Sequence, residues 1–260
     1  MKCALEETLR EAGRLMLSFH APKVTDKGGH ANYVTEADEA VQAFLLEKLS
    51  DQFPEACFFA EEKDDNVLTD APTFIVDPID GTTNYFRSRA SSVISVGLVQ
   101  NKRPVLGAIY DPYRDMLYHA EVGQGAWCGG ERLQVSDLPM NRALVELGTG
   151  PYYDDLMELT GRTVGRLLPQ IADFRRSGSA ALDLTHLANG TAEGMFEWML
   201  QPWDYCAGVL LVEEAGGKCG SILGGPVTYE RGIPFMAANA ACFDELQAAL
   251  QKIHREMQTK

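Results

Sequence analysis

The 260-residue chain predicts an α/β (α+β) fold, with two mixed halves, residues 1–140 and 141–260, packed as one compact unit. Three observations point there. Segments of helical period alternate with short apolar runs bounded by turn residues. Three consecutive β-rich runs, Val93–Val99, Val105–Tyr110 and Met116–Glu121, are joined by short turns at the spacing of an antiparallel meander. A content of 45% hydrophobic and 23% charged residues is enough to bury a large core at this length.

In chain order, Leu5, Leu9, Ala12, Met16 and Phe19 recur at helical spacing, which predicts an amphipathic helix docked on the core. A polar stretch with Gly28-Gly29 follows. Val34 to Asp38 then leads into a second helix, with Ala37, Val41, Phe44, Leu45 and Leu49 on one face. Cys57–Ala60 reads as a strand ending in Glu61-Glu62, and Phe74–Val76 as the next strand. Beyond the meander, strands at Leu144–Leu147 and Asp173–Arg176 flank a helix near Asp154–Leu168. Ala180–Asn189 is a helix closed by Gly190, Gly194–Met199 a strand, and Asp204–Glu214 a helix closed by Gly216-Gly217. Val227–Tyr229 and Phe235–Ala237 read as short strands, and Leu246, Leu250, Ile253 and Met257 mark a tail helix.

Composition narrows the function. A net charge of −14 argues against a nucleic-acid or anionic-lipid partner and fits a small-molecule enzyme. A run of about 18 apolar residues, as a membrane span needs, is absent. The N-terminus carries acids and a helical pattern in place of a secretory apolar stretch. The six cysteines are scattered without a C-x-x-C, as expected of reduced thiols in a cytoplasmic protein, and no histidine pair has zinc-binding spacing.

Four pieces carry candidate chemistry, and each has a plainer explanation. Thr35-Glu36-Ala37-Asp38 matches a helix capping box. Glu61-Glu62 opens an acidic run that would ordinarily be a solvated loop. Asp204 begins a helix, where it would complement the dipole. The string DPIDGTTN, Asp77 to Asn84, is harder to explain as a mere turn. Two aspartates after a buried strand, with Pro78 fixing the backbone between them, raise each other's pKa unless a cation joins them. Oxygen donors of this kind suit Mg2+. Gly81 permits close backbone approach, and a helix opening at Thr82-Thr83 would offer free N–H groups to a phosphate. Adjacent cation and anion sites are the layout for metal-assisted attack on a phosphate ester.

These residues resemble the inositol monophosphatase family. DPIDGTTN is similar to its first signature, and Trp203 to Gly208 followed by Glu214-Ala215-Gly216-Gly217 to its second. Glu61-Glu62, Thr35-x-x-Asp38 and Arg175 to Ala181 fall where the family carries its glutamate pair, its threonine–aspartate stretch and a mid-chain motif. The likeness runs from about residue 27 to residue 240. It implies the layered αβαβα sandwich of the sugar-phosphatase type, sensitivity to lithium, a homodimer, and two or three Mg2+ per site. Glu61, Asp77, Asp80, Asp204 and the Ile79 carbonyl would be metal ligands. Gly81 and Thr82 would hold the phosphate through backbone N–H groups, while Asp38 and the Thr82 hydroxyl orient the attacking water and accept its proton. Glu197, Gly178, Ser179 and Ala180 would meet the substrate, and Arg175 the substrate or a partner subunit. Lys63 departs from the family's small residue and bears on pocket charge. The implied activity is Mg2+-dependent hydrolysis of inositol monophosphate or a similar polyol or sugar phosphate. Alternatives are the same chemistry on 3′-phosphoadenosine 5′-phosphate or fructose 1,6-bisphosphate, or an interaction protein on a phosphatase scaffold. Thr83-Asn84 resembles the inositol branch, and an anion at Glu197 would repel a second phosphate.

Overall fold

The computed structural model describes residues 2–28, 31–151 and 154–258; Gly29 of the expected polar stretch lies outside them. Helices α1 (Lys2–Ser18) and α2 (Glu36–Gln52) bracket a small antiparallel hairpin, β1 (Val24–Asp26) and β2 (Tyr33–Thr35). Seven strands then form one sheet: β3 (Cys57–Ala60), β4 (Thr73–Asp80), β5 (Val93–Gln100), β6 (Arg103–Asp111), β7 (Met116–Glu121), β8 (Gly125–Cys128) and β9 (Glu131–Arg132), in sequence order. The short helix α3 (Thr82–Phe86) sits between β4 and β5. A second sheet has the order β11-β10-β12-β14-β13. It is built from β10 (Leu144–Leu147), β11 (Asp173–Arg175), β12 (Gly194–Leu200), β13 (Lys218–Ser221) and β14 (Ile233–Ala238). Helices α4 (Asp154–Leu167), α5 (Ala180–Ala188), α6 (Pro202–Glu214) and α7 (Phe243–Gln258) complete the chain.

Side-chain packing stacks these elements in five layers. Leu5, Leu9, Val41 and Leu45 of α1 and α2 pack on Phe74, Val76, Ile94 and Val96 of the large sheet. Its other face, including Ile75 and Ile109, packs on Leu184 of α5 and Val209 and Leu211 of α6. Met195 and Phe235 of the second sheet close that core from the far side. The outer face of the second sheet, with Val145, Phe196 and Met236, is covered by Leu159 of α4 and Leu246 and Leu250 of α7. The result is an αβαβα sandwich. Helix α6 lies hard against the large sheet because Gly97 and Gly107 lack side chains: a Cβ there would approach Cys206 Sγ to 2.5 Å and the Ala207 carbonyl oxygen to 2.4 Å.

Most predicted elements are present, and the differences have physical causes. Residues Val227–Tyr229 form no strand; that segment is a loop whose Thr228 carbonyl accepts the Tyr205 hydroxyl at 2.5 Å. The hairpin β1–β2 and strands β8, β9 and β13 were not expected; short elements such as Glu131-Arg132 and Lys218–Ser221 lack the apolar run that marks Cys57–Ala60 or Leu144–Leu147. The strand expected at Phe74–Val76 runs on through Asp80, so the two aspartates belong to the sheet itself.

Candidate active site

That extension decides the geometry of the site. Neighbouring residues of a strand face opposite sides, so Asp77 and Asp80 would point apart in a regular strand. The pairing of β4 with β5 shifts register between them. An irregularity of this kind re-aims side chains. Ile75 faces the α5–α6 core, whereas Phe74, Val76 and Ile79 all pack towards α1 and α2. The shift therefore turns Asp80 to the same face as Asp77. Carboxylate oxygens of Asp77, Asp80 and Asp204 lie within 4.8 Å of one another.

Glu61 reaches the cluster through parallel pairing. Ala60 of β3 lies beside Val76 of β4, so the next residue of each strand, Glu61 and Asp77, emerge side by side. Their carboxyl groups are close enough for each to perturb the other's ionisation. Asp204 comes from the first turn of α6, where one oxygen accepts the Gln201 N–H at 2.7 Å. The dipole-complementing role and the site role coexist, because a carboxylate has a second oxygen to offer. Likewise Asp80 Oδ2 accepts the Ser179 hydroxyl at 2.7 Å and the Ala181 N–H at 2.6 Å.

The capping box at Thr35 is also real, and also does not exhaust its residues. Asp38 Oδ2 accepts the Thr35 N–H at 2.8 Å and the Thr35 hydroxyl, while Oδ1 accepts the Thr82 hydroxyl at 3.1 Å. The Thr82 hydroxyl has an alternative acceptor, the Ile79 carbonyl, at 3.2 Å. Gly81 precedes α3 with φ 93°, a left-handed backbone that suits glycine. A Cβ there would meet the Ser91 and Gly178 carbonyl oxygens at 3.1 and 3.2 Å.

These groups open on a cavity of about 710 Å3. Its lining includes Glu61, Asp77, Ile79, Asp80, Gly81, Thr82, Gly178, Ser179, Ala180, Glu197 and Asp204; Asp38 is fully buried just behind it. Glu197 faces the cluster from β12, and its Oε1 accepts the Gly150 N–H at 3.0 Å. Arg175 lies outside the lining. It is exposed and bound to Asp173 at 2.5 Å, while Arg176 takes the place at the cavity. Lys63 is also outside, paired with Asp65 at 3.0 Å, so it does not set the charge of the cavity wall. The lysine that does is Lys27, on the hairpin loop, 2.6 Å from Glu62 and 4.0 Å from Glu61. Sequence reasoning missed it because its partners lie 34 and 35 residues away.

The electrostatics follow from crowding. Burial pushes the Asp77 and Asp204 carboxyls well above the usual range, and neighbouring carboxylates push them further. Burial raises Glu61 to about 8, helped by Glu62 and opposed by Lys27. Asp80 is raised by burial to about 6, against the hydrogen bonds from Ser179 and Ala181. Burial lifts Glu197 to about 7. A buried all-oxygen set short of positive charge fits a hard divalent cation. The residues present are therefore positioned to hold metal ions.

Fold and site together define a metal-assisted phosphatase scaffold. The inositol monophosphatase family model matches residues 1–256, and the chain belongs to that family. The SuhB protein of Escherichia coli K12, named a Nus factor, is 36% identical over 222 residues, 83% of each chain. Inositol monophosphatase 1 of Sus scrofa is 32% identical over 253 residues, covering 94% of this chain and 91% of its own. The crystal structure of the suhB protein from Bartonella henselae superposes with a TM-score of 0.88 at 31% identity, covering 96% of this chain and 98% of that one. Among the described residues, no helix is long and apolar enough to cross a membrane.

Proposed function

We propose that the chain hydrolyses the phosphate monoester of a polyol or sugar, inositol monophosphate first among them, with Mg2+ as cofactor. The observation that carries this is the convergence of Asp77, Asp80 and Asp204 within 4.8 Å, beside the Thr82 hydroxyl and its Asp38 acceptor. Glu61, the three aspartates and the Ile79 carbonyl would hold two or three Mg2+. Bound there, the ions would offset phosphate charge and acidify water.

The remaining work falls to the chain. Gly81 and Thr82 would receive the phosphate oxygens on their N–H groups. Asp38 can take the attacking water's proton by way of Thr82, since its own carboxylate is anchored by Thr35 and cannot swing away. Glu197 would grip a hydroxyl of the alcohol portion, with Gly178, Ser179 and Ala180 shaping the wall. Arg176 is the cationic group at that end. Glu197 supports a hydroxyl-rich substrate over a bisphosphate, because a second phosphate would meet an anion there. A cytoplasmic homodimer is part of the same proposal.

The test is phosphate release with Mg2+ on inositol monophosphate, fructose 1,6-bisphosphate and 3′-phosphoadenosine 5′-phosphate. Turnover led by the inositol ester supports the proposal, and preference for either bisphosphate moves the substrate while keeping the chemistry. No release from any of them would leave an interaction protein on this scaffold.

A further inference from the structure

We propose that Glu146, Asp183 and His186 form a second cation site, suited to a borderline divalent transition ion such as Zn2+. Glu146 stands on β10, and Asp183 and His186 are three residues apart on α5, which puts them on one helix face. One ligand atom from each lies within 4.8 Å of the others.

The independent sign that these groups suit a cation is polar dissatisfaction. Glu146 is 4% exposed and Asp183 2%. Among the described residues, Glu146 Oε2 and Asp183 Oδ1 are buried without any hydrogen-bond partner. A buried carboxylate oxygen left unpaired is costly, and two in one cluster are more so. Burial and the charge of Glu146 indeed hold Asp183 well above the usual carboxylate range. His186 Nδ1 is 2.9 Å from Glu146 Oε1, so the imidazole is already aimed at the pair. Its side chain is 34% exposed, which gives an ion a way in from solvent.

The donor set differs from the all-oxygen cluster of Asp77, Asp80 and Asp204. One imidazole nitrogen and two carboxylates favour Zn2+ or its neighbours over Mg2+. Three protein ligands leave a position for water. Asp183 lines the main cavity, so the site lies just behind that wall. An ion there would brace α5 against β10, and the first turn of α5 is what holds Asp80.

The test uses the full chain, stripped with a chelator and dialysed against Zn2+ under excess Mg2+. The chain should retain one Zn2+ that His186→Gln and Glu146→Gln each lose, with affinity lowered more than about tenfold. Crystals soaked in Zn2+ should show an anomalous peak about 2.0–2.2 Å from ligand atoms of all three side chains. The crystal measurement needs no variant, so a substitution that fails to fold leaves the test intact. Equal zinc retention by folded variants and the unaltered chain overturns the proposal, as does a map with no peak between these residues.

Discussion

The Ser179 hydroxyl donates to Asp80 Oδ2 at 2.7 Å while its oxygen accepts the Leu182 N–H at 3.2 Å. One side chain thus caps α5 and locks the end of β4. Ser179→Ala should remove both interactions and leave Asp80 Oδ2 with only the Ala181 N–H. Stability should fall by about 1–2 kcal/mol, a normal loss for an N-cap. Metal affinity should fall with it. Chemical denaturation and a Mg2+ titration of phosphate release measure the two effects.

Asp80→Asn separates charge from position. The amide oxygen can still accept the Ser179 and Ala181 donors, so the fold should hold. Without metal the variant should be as stable as the parent or slightly more so, since one of the crowded carboxylates is gone. Turnover should drop on the order of a hundredfold or more. Near-normal turnover would remove Asp80 from the set of ligands.

Gly148→Ala probes the alcohol end of the cavity. A Cβ at Gly148 would stand 1.7 Å from Glu197 Oε2, so that carboxylate must move. KM for inositol monophosphate should rise while kcat for a simple aryl phosphate, which lacks the hydroxyls, stays close to normal. An equal loss on both substrates would mean that Glu197 supports the fold and not the alcohol.

The pH dependence of the metal-free protein has a defined sign. Glu197 and Glu61 hold their protons to about 7 and about 8 in the folded chain, from ordinary values of 4.5. Below the ordinary value both states are protonated and the folded state bears no penalty. As pH rises, the unfolded chain ionises first, so stability declines across the window from about pH 4.5 to about pH 8. Denaturation in the presence of a chelator should show this decline. Saturating Mg2+ should remove the Glu61 part of the decline, because the ion takes that proton's place, and leave the Glu197 part. A metal-free stability that rises across the window would contradict the burial of these groups.

Much of the architecture was legible because the meander, the tail helix and the segments around α5 and α6 keep a clear period over six or more residues. Strands β8, β9 and β13 and the hairpin β1–β2 were not, and a run such as Val227–Tyr229 looks like a strand yet serves as a loop pinned by Tyr205. The four acidic positions were readable from their local strings. Their convergence depends on the register shift inside β4, which no local pattern announces. The choice between Arg175 and Arg176 was equally hidden: adjacent residues at the end of β11 point opposite ways, and only the tertiary packing says which faces the cavity.

The proposed chemistry stands on Glu61, Asp77, Asp80 and Asp204 sharing divalent ions. Diffraction from crystals grown with Mn2+ in place of Mg2+ tests it most directly. Anomalous peaks should appear about 2–2.5 Å from oxygens of these four side chains, at least one of them bridging Asp77 and Asp80. A map without a peak among them, under Mn2+ concentrations that support phosphate release, would contradict the account.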